Sequence, residues 1–321
     1  MTDTRAGGSR VRTVFLGSGR FGVPSLRILA KSPLIDLVGI VTAPPRLAGR
    51  HQTLMPTPIA STAHAMGIRT ILTPARLRAS EAVATVLGLA PDLAVLADYG
   101  QIVPAALLEL RHGALNLHPS LLPRHRGASP IQATILAGDT DTGVTLIRMD
   151  EGLDSGPIVA QRHLALDGSE TAPLLEDALE TLAATLLSES LGPWLAGEVV
   201  TVPQSRDAVT LTRPLRREDG RLDPDRPAVE LERRVRAFRP WPGTFVETAL
   251  GRLIIHEASV GAHVPGDQPG ALVADATGLA LATVAGRIRI ERAQLAGREV
   301  TDAASLRRGA PGLVGQRVLL R

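Results

Sequence analysis

The feature that most constrains the fold is an alternation of short apolar runs with helix-like stretches over the first 150 residues. The apolar runs have the length of buried strands and comprise Val11 to Leu16, Leu34 to Val41, Leu93 to Leu96, Ala114 to His118 and Val144 to Ile147. The stretches between them span two or three helical turns and comprise Pro24 to Lys31, Thr57 to Met66, Glu81 to Leu89 and Pro130 to Ala137. Strands that alternate with helices are typical of a parallel sheet covered on both faces. The sequence therefore predicts an α/β domain with a doubly wound, mostly parallel sheet.

The residue pattern of the sequence changes after residue 195. Residues 196–210 mix glycine, proline and polar residues without a helical period, as linkers do. A helix is then predicted over Ala228 to Phe238, followed by short strand-like runs separated by turns that contain glycine. We therefore predict a catalytic domain over 1–195, a linker over 196–210, and a smaller, OB-like β-barrel domain over 211–321.

Composition narrows the chemistry that this chain can perform. It has no cysteine, which excludes disulfides, thiolate metal sites and a cysteine nucleophile. It has no apolar run of about 18 residues, and Met1 to Arg12 lacks the apolar core of a signal peptide. A cytoplasmic protein without a membrane segment is expected, acting as a monomer.

Charge is distributed unevenly along the chain. Residues 1–205 carry a formal net charge of −2, whereas residues 206–321 carry +5. A basic second half fits a module that contacts phosphates. The alternative is an arginine bias that reflects base composition, because Lys31 is the only lysine.

The glycine-rich turn after the first apolar run has the form of a dinucleotide-binding motif. Gly17 to Gly22 reads G-S-G-R-F-G, directly after a strand and before a helix. A nicotinamide site would also need a carboxylate near the end of the next strand, and Ile40 to Pro44 contains none. A tight turn is therefore favoured over a nicotinamide site, which remains the alternative.

The densest cluster of reactive side chains follows the strand that ends at His118. Asn116 and His118 are two positions apart on this strand, so their side chains share a face. They lie at its carboxyl end, where open α/β sheets bind ligands. Asp154 lies downstream in a glycine-bounded loop. A carboxylate against His118 would raise the basicity of the imidazole, while the Asn116 amide could stabilise an oxyanion.

Each of these residues also has a structural explanation. A histidine on a strand, an aspartate in a loop and an asparagine are common as core, turn and capping residues respectively. Ser120 as a nucleophile lacks the flanking glycines of a nucleophile elbow. The seven-residue spacing of His118 and His125 suits no common metal site.

Several motifs together give the chain a family resemblance. They are Tyr99 to Pro104, Asn116 to Pro130, Gly138-Asp139, Thr142 to Thr145, Gly152 to Gly156 and Arg236 to Gly243. This set resembles the signature of the 10-formyltetrahydrofolate-dependent formyltransferases. The resemblance covers nearly the whole chain after residue 11, and within the family the loop Pro45 to Pro58 is similar to that of the members that act on methionyl-tRNA.

The resemblance implies both a reaction and roles for individual residues. The implied reaction transfers a formyl group from the co-substrate 10-formyltetrahydrofolate to the α-amine of initiator methionyl-tRNA, with no metal. The residues implied are Asn116, His118 and Asp154 for catalysis, Ser120, Leu121, Leu122, Pro123, Tyr99 and Gly100 for the folate, and Arg50 for the tRNA acceptor end. Formyl transfer to a nucleotide-linked amino sugar and a catalytically silent RNA-binding module are the other hypotheses.

The chain also departs from the family pattern at particular positions. Gly19 and Arg20 stand where a proline and an acidic residue are usual, and Asp98 stands where a small apolar residue is usual. Gln52 and Thr53 replace the lysines that commonly follow the loop arginine.

Overall fold

The computed structural model describes residues 10–48, 53–276 and 278–319. The strands are β1 (Val11–Leu16), β2 (Ile35–Val41), β3 (Arg46–Ala48), β4 (Thr53–Met55), β5 (Ile71–Leu72), β6 (Leu93–Ala97), β7 (Ala114–His118), β8 (Arg126–Gly127), β9 (Asp141–Arg148), β10 (Ile158–Ala165), β11 (Leu211–Thr212), β12 (Thr244–Thr248), β13 (Gly251–Gly261), β14 (Leu272–Asp275), β15 (Gly278–Ala282), β16 (Arg287–Leu295) and β17 (Thr301–Asp302). The helices are α1 (Val23–Lys31), α2 (Pro58–Ala65), α3 (Ser80–Leu87), α4 (Ala105–Leu108), α5 (Pro130–Ala137), α6 (Ala172–Leu195), α7 (Ala228–Ala237) and α8 (Ala303–Gly309). Within the described ranges, no helix is both long and apolar enough to span a membrane.

The chain forms two compact units that alternate along the sequence. The first unit comprises the described residues of 1–128, 141–165 and 176–212. The second comprises 129–140, 166–175 and the described residues from 213 onwards. The segment 196–210 therefore belongs entirely to the first unit, where Ile158 and Val202 exchange backbone hydrogen bonds.

A seven-stranded sheet organises the first unit, in the order β10-β9-β7-β6-β1-β2-β5. The pairs from β7 to β5 are all parallel, whereas β9 and β10 are antiparallel to their neighbours. All five residues of β6 are buried, as expected for a parallel strand covered on both faces. The predicted mostly parallel α/β sheet is confirmed, and its antiparallel edge is an addition that the sequence did not indicate.

The second unit contains an antiparallel sheet in the order β12-β13-β16-β15-β14, with β17 paired to β16. Its apolar residues form a core beneath α7 and α8. Residues near the C-terminus form isolated bridges with Glu247 of β12 and with Ala271, which precedes β14; the partners are Leu319 and Arg317 respectively. The strand ladders of the described residues therefore do not close into a barrel, and the OB-like barrel is not confirmed.

Helix α5 packs within the second unit, against α7. The helix ends at Gly138, which has a left-handed backbone and terminates the helix as such glycines often do. A Cβ at Gly138 would lie 2.2 Å from the guanidinium carbon of Arg233. The arginine on α7 therefore occupies the space that the missing side chain leaves.

Candidate active site

Strand β7 places two of the three predicted catalytic side chains. It lies between β6 and β9 in the middle of the sheet. Asn116 and His118 are two positions apart on this strand, so their side chains lie on the same face. His118 is buried, with 4% of its surface exposed. Both residues lie at or next to the carboxyl end of the strand, the edge where open α/β sheets bind ligands.

The loop between β9 and β10 brings Asp154 to the same place. The Asn116 Nδ2 atom lies 3.4 Å from Asp154 Oδ1, and His118 Nδ1 lies 3.7 Å from Asp154 Oδ2. The backbone N–H of Gly127 donates a hydrogen bond of 2.8 Å to the same Oδ2 atom. The structure therefore joins an amide, an imidazole and a carboxylate, which are the three groups that the sequence had singled out.

The ring of His118 is held through its other nitrogen. Its Nε2 atom lies 2.9 Å from the carbonyl oxygen of His125. A carbonyl can only accept, so Nε2 carries a hydrogen and Nδ1 of the neutral ring has a free lone pair that faces Asp154. A backbone carbonyl therefore fixes the tautomer of His118.

Burial decides the protonation of His118. Loss of solvent lowers the pKa of the imidazole below its ordinary value, and the nearby Asp154 carboxylate opposes this shift without reversing it. The ring is therefore neutral near pH 7, with Nδ1 able to accept a proton.

The backbone around Asp154 is tightly constrained. Asp154 has a φ of +46°, in the left-handed region that few residues other than glycine adopt. A Cβ at Gly156 would lie 1.9 Å from the carbonyl oxygen of Arg148, so only glycine fits there. Asp150 Oδ1 accepts hydrogen bonds from the Gly152 N–H at 3.0 Å and the Ser155 hydroxyl at 2.8 Å. Glycines and a capped turn thus set the direction of the Asp154 side chain.

The segment predicted to contact folate follows His118 directly. Ser120 is fully buried and donates a hydrogen bond of 2.7 Å to the carbonyl of Arg124. Thr145 on β9 donates to the Ser120 carbonyl at 2.7 Å and accepts from the Leu122 N–H at 3.0 Å. The serine hydroxyl therefore holds the turn of the segment, which argues against a nucleophilic role.

A second loop predicted to contact folate follows the neighbouring strand, β6. The Tyr99 hydroxyl is buried and has no hydrogen-bond partner among the described residues, and burial raises its pKa to about 12. Gly100 is exposed, and a Cβ there would meet no atom within 4 Å. This loop therefore offers open space and an unsatisfied polar atom at the same edge of the sheet.

Two departures from the family pattern meet in space. A Cβ on Gly19 would lie 1.4 Å from Asp98 Oδ2, so the Asp98 carboxylate occupies the place of a side chain at residue 19. Arg20 forms ion pairs with Asp177 and Glu180 on α6. The unusual glycine and the unusual aspartate thus accommodate each other.

Some residues that form hydrogen bonds at the site could not be predicted from the sequence. The Gly127 N–H bonds Asp154, and the Gln204 side chain bonds the backbone carbonyls of Asp154 and Gly156. Thr210 Oγ1 accepts a hydrogen bond of 2.7 Å from the His125 N–H. Gln204 and Thr210 lie in the segment predicted as a linker, and nothing in their sequence spacing relates them to residues so far away along the chain.

Arg50 lies outside the described residues, so its predicted contact with tRNA stays a prediction. The flanking strands β3 and β4 form a hairpin whose Leu54 and Met55 are exposed. Among the residues that the structure describes, no group of three or more His, Asp or Glu side chains could hold a metal ion.

Comparison with known proteins identifies the class to which this fold and site belong. Residues 11–191 match the formyl transferase family, and residues 214–311 match the formyl transferase C-terminal domain. The chain therefore belongs to the formyl transferase family.

Individual relatives cover nearly the whole chain. The methionyl-tRNA formyltransferase of Myxococcus xanthus is 41% identical over 310 residues, which are 95% of this chain and 97% of that protein. The methionyl-tRNA formyltransferase of Halorhodospira halophila is 42% identical over 308 residues, 94% of this chain and 98% of that protein. An N-formyltransferase from Helicobacter canadensis, whose structure contains folinic acid and dTDP-3-aminofucose, aligns with a TM-score of 0.63 and 14% identity over 87% of this chain and 99% of that one. It shares the fold.

Proposed function

We propose that this protein transfers a formyl group from 10-formyltetrahydrofolate to the α-amine of methionyl-tRNA. The observation that carries the proposal is the meeting of Asn116, His118 and Asp154 at the carboxyl end of β7. Relatives that are 36% to 42% identical over nearly the whole chain are methionyl-tRNA formyltransferases. The product, N-formylmethionyl-tRNA, is the form used to initiate translation.

Formyl transfer needs negative charge to be stabilised on the formyl oxygen while the amine attacks. Asn116 Nδ2 has two hydrogens, of which one points to Asp154 Oδ1 and the other is available to an oxyanion. Because the amide is held before the substrate arrives, this donor stabilises the developing charge without reorganising. Asn116 is therefore assigned to the formyl oxygen.

The amine must be neutral to attack, and it must lose a proton as the new C–N bond forms. His118 Nδ1 has its lone pair directed into the site, because Nε2 is committed to the His125 carbonyl. Asp154 Oδ2, 3.7 Å from Nδ1, stabilises the imidazolium that results from proton uptake. His118 then returns the proton to the departing nitrogen of the folate as the old C–N bond breaks, so charge and protons balance.

The folate co-substrate supplies the activated formyl group when it is bound. The residues near Asn116, His118 and Asp154, which we call the triad, fit such a molecule. The loops that begin at Tyr99 and Ser120 leave the sheet from the adjacent strands β6 and β7. Leu121 and Pro123 are half-buried and offer apolar surface, Leu122 is buried between them, and Tyr99 offers a buried hydroxyl that no described residue bonds. A flat ring with polar edges needs this combination of apolar walls and a few polar atoms.

We further propose that the tRNA contacts Arg50 and the basic C-terminal half of the chain. Residues 206–321 carry a formal net charge of +5, and contacts to phosphates supply much of the affinity of RNA-binding proteins. The boundaries 1–195, 196–210 and 211–321 and action as a cytoplasmic monomer belong to the same proposal. One chain supplies the whole triad, which is consistent with a monomer.

The test is a direct assay of two acceptors. Purified protein is incubated with formyl-labelled 10-formyltetrahydrofolate and either methionyl-tRNA or a nucleotide-linked amino sugar, and label in each acceptor is measured. Label in methionyl-tRNA alone supports the proposal. Label in the amino sugar alone, or in neither acceptor, contradicts it.

A further inference from the structure

Gln204 makes an unusual set of hydrogen bonds in the first unit. Its Nε2 atom donates to the carbonyl oxygens of Asp154 and Gly156, both at 2.8 Å. Its Oε1 atom accepts from Nε and Nη2 of Arg126, at 3.0 and 2.7 Å. One side chain thus links the segment 196–210 to two separate segments of the site.

The chemistry of these partners fixes the orientation of the amide. Arginine only donates hydrogen bonds, so the Gln204 oxygen must face Arg126. Carbonyl groups only accept, so the nitrogen must face Asp154 and Gly156. The oxygen and the nitrogen of the Gln204 amide therefore require the same orientation of the group. The oxygen accepts two hydrogen bonds and the nitrogen donates two.

The two carbonyls that Gln204 holds are on either side of Ser155, in the part of the loop that determines where the Asp154 carboxylate lies. Asp154 has an unfavourable left-handed backbone, and such conformations persist only where surrounding contacts enforce them. Arg126, the other partner of Gln204, precedes Gly127, whose N–H bonds Asp154 Oδ2 at 2.8 Å. The backbone and the carboxylate of Asp154 are therefore held by the same network.

We propose that Gln204 is a positioning residue, which acts through the backbone of residues 154–156 to keep the Asp154 carboxylate between Asn116 and His118. This inference rests on the proposed function, in which Asp154 takes part in formyl transfer. Displacement of a catalytic group by about 1 Å can cost about 10²-fold in rate, so hydrogen bonds to its backbone affect turnover. Gln204 itself does not touch the reacting atoms.

The central variant is Gln204→Glu, which keeps the shape of the side chain. The carboxylate still accepts from Arg126 but cannot donate, and it places an oxygen against the two carbonyls. We expect kcat to fall about tenfold or more, with KM for methionyl-tRNA and for the folate each within about threefold of the unchanged protein. Gln204→Met, which has a similar length and no polar group, gives a second and uncharged measurement.

A matched control exists in the second unit. Gln316 also links two backbone segments, because its Oε1 atom accepts from the Ala249 N–H at 3.1 Å and its Nε2 atom donates to the Gly312 carbonyl at 2.6 Å. Gln316→Glu makes the same chemical change without contact with the triad, and kcat should stay within about twofold. Thermal unfolding of both variants separates lost turnover from lost folding.

A double-mutant cycle distinguishes positioning from a general structural role. If Gln204 acts through Asp154, Gln204→Met should lower kcat about tenfold in the unchanged protein but less than twofold in an Asp154→Ala background. Equal losses in both backgrounds, or unchanged kcat in both Gln204 variants, would overturn the inference. If Asp154→Ala itself leaves kcat unchanged, the fault lies in the proposed mechanism instead.

Discussion

Gly156→Ala tests whether the geometry of the Asp154 loop controls turnover. A Cβ on residue 156 would lie 1.9 Å from the Arg148 carbonyl oxygen, with the Arg148 carbonyl carbon at 3.0 Å and the Asp150 nitrogen at 3.2 Å. All three atoms belong to the backbone, so no side-chain rotation relieves the clash. The loop must move by about 1 Å before the contact reaches the shortest distance that real Cβ atoms show.

This displacement sets the magnitude of the expected effect. Gly156 is two residues from Asp154, and its own carbonyl is one of the groups bonded by Gln204. A shift of about 1 Å in a catalytic group costs about 10²-fold in rate, and overpacking of this kind costs about 1–3 kcal/mol of stability. We therefore expect kcat to fall about 10²-fold while the folded protein still binds folate.

The control for this experiment is Gly192→Ala in α6. A Cβ there would meet a single atom within 4 Å, Leu34 Cδ1 at 3.8 Å, which is an ordinary contact. This variant lies outside the Asp154 loop and should leave kcat unchanged. Steady-state kinetics, folate fluorescence titration and thermal unfolding are measured for both variants. Turnover within twofold of the unchanged protein in Gly156→Ala would refute the reasoning.

The other predictions concern the triad and the loop. Asn116→Ala and His118→Ala should each lower kcat about 10²-fold or more, less than additively when combined, without loss of folate binding measured by fluorescence; near-normal turnover in His118→Ala would exclude it as the base. Because burial lowers the pKa of His118, the enzyme group that limits kcat/KM should be protonated only below the ordinary value of 6.5, in addition to the decline caused by protonation of the substrate amine. Asp154→Asn removes a charge that raises this pKa, so the remaining activity should decline at still lower pH, and a shift to higher pH would contradict the assignment. Arg50→Ala should raise KM for methionyl-tRNA and leave KM for the folate unchanged, and an equal tRNA KM would mean that this arginine is only a solvated loop residue.

The sheet was predictable because its strands are buried on both faces. Such strands appear in a sequence as continuous apolar runs, and the runs at β1, β2, β6 and β7 agree with the structure to within about one residue. Strand β10 was not predicted, because its residues alternate irregularly between exposed and half-buried positions at the edge of the sheet. Closure of the second sheet was overestimated, since short antiparallel runs look the same in an open sheet and in a barrel.

The triad was predictable for a different reason. Asn116 and His118 are two positions apart on one strand, so alternation alone places them on one face, and Asp154 stands in a recognisable glycine-rich loop. The contacts that hold these residues were not predictable. Gly127 acts through its backbone N–H, and Gln204 acts on backbone carbonyls 48 and 50 positions away. Neither type of contact leaves a pattern in the side chains of a single sequence.

The alternation of the two units along the chain determines how the RNA-binding role of the second unit can be tested. A chain that ends at Gly197 would lack α7, against which α5 packs, and would also lack Gln204 and its bonds to the Asp154 loop. Reduced activity in such a chain would therefore not distinguish weaker RNA binding from a damaged site. Replacing exposed arginines of the second unit by glutamine leaves these bonds in place. The slope of log affinity for methionyl-tRNA against log salt concentration should then become shallower by up to about 0.9 for each phosphate that an arginine no longer neutralises, while kcat at saturation stays the same. An unchanged slope after all exposed arginines have been replaced would show that the second unit does not hold the RNA through its phosphates.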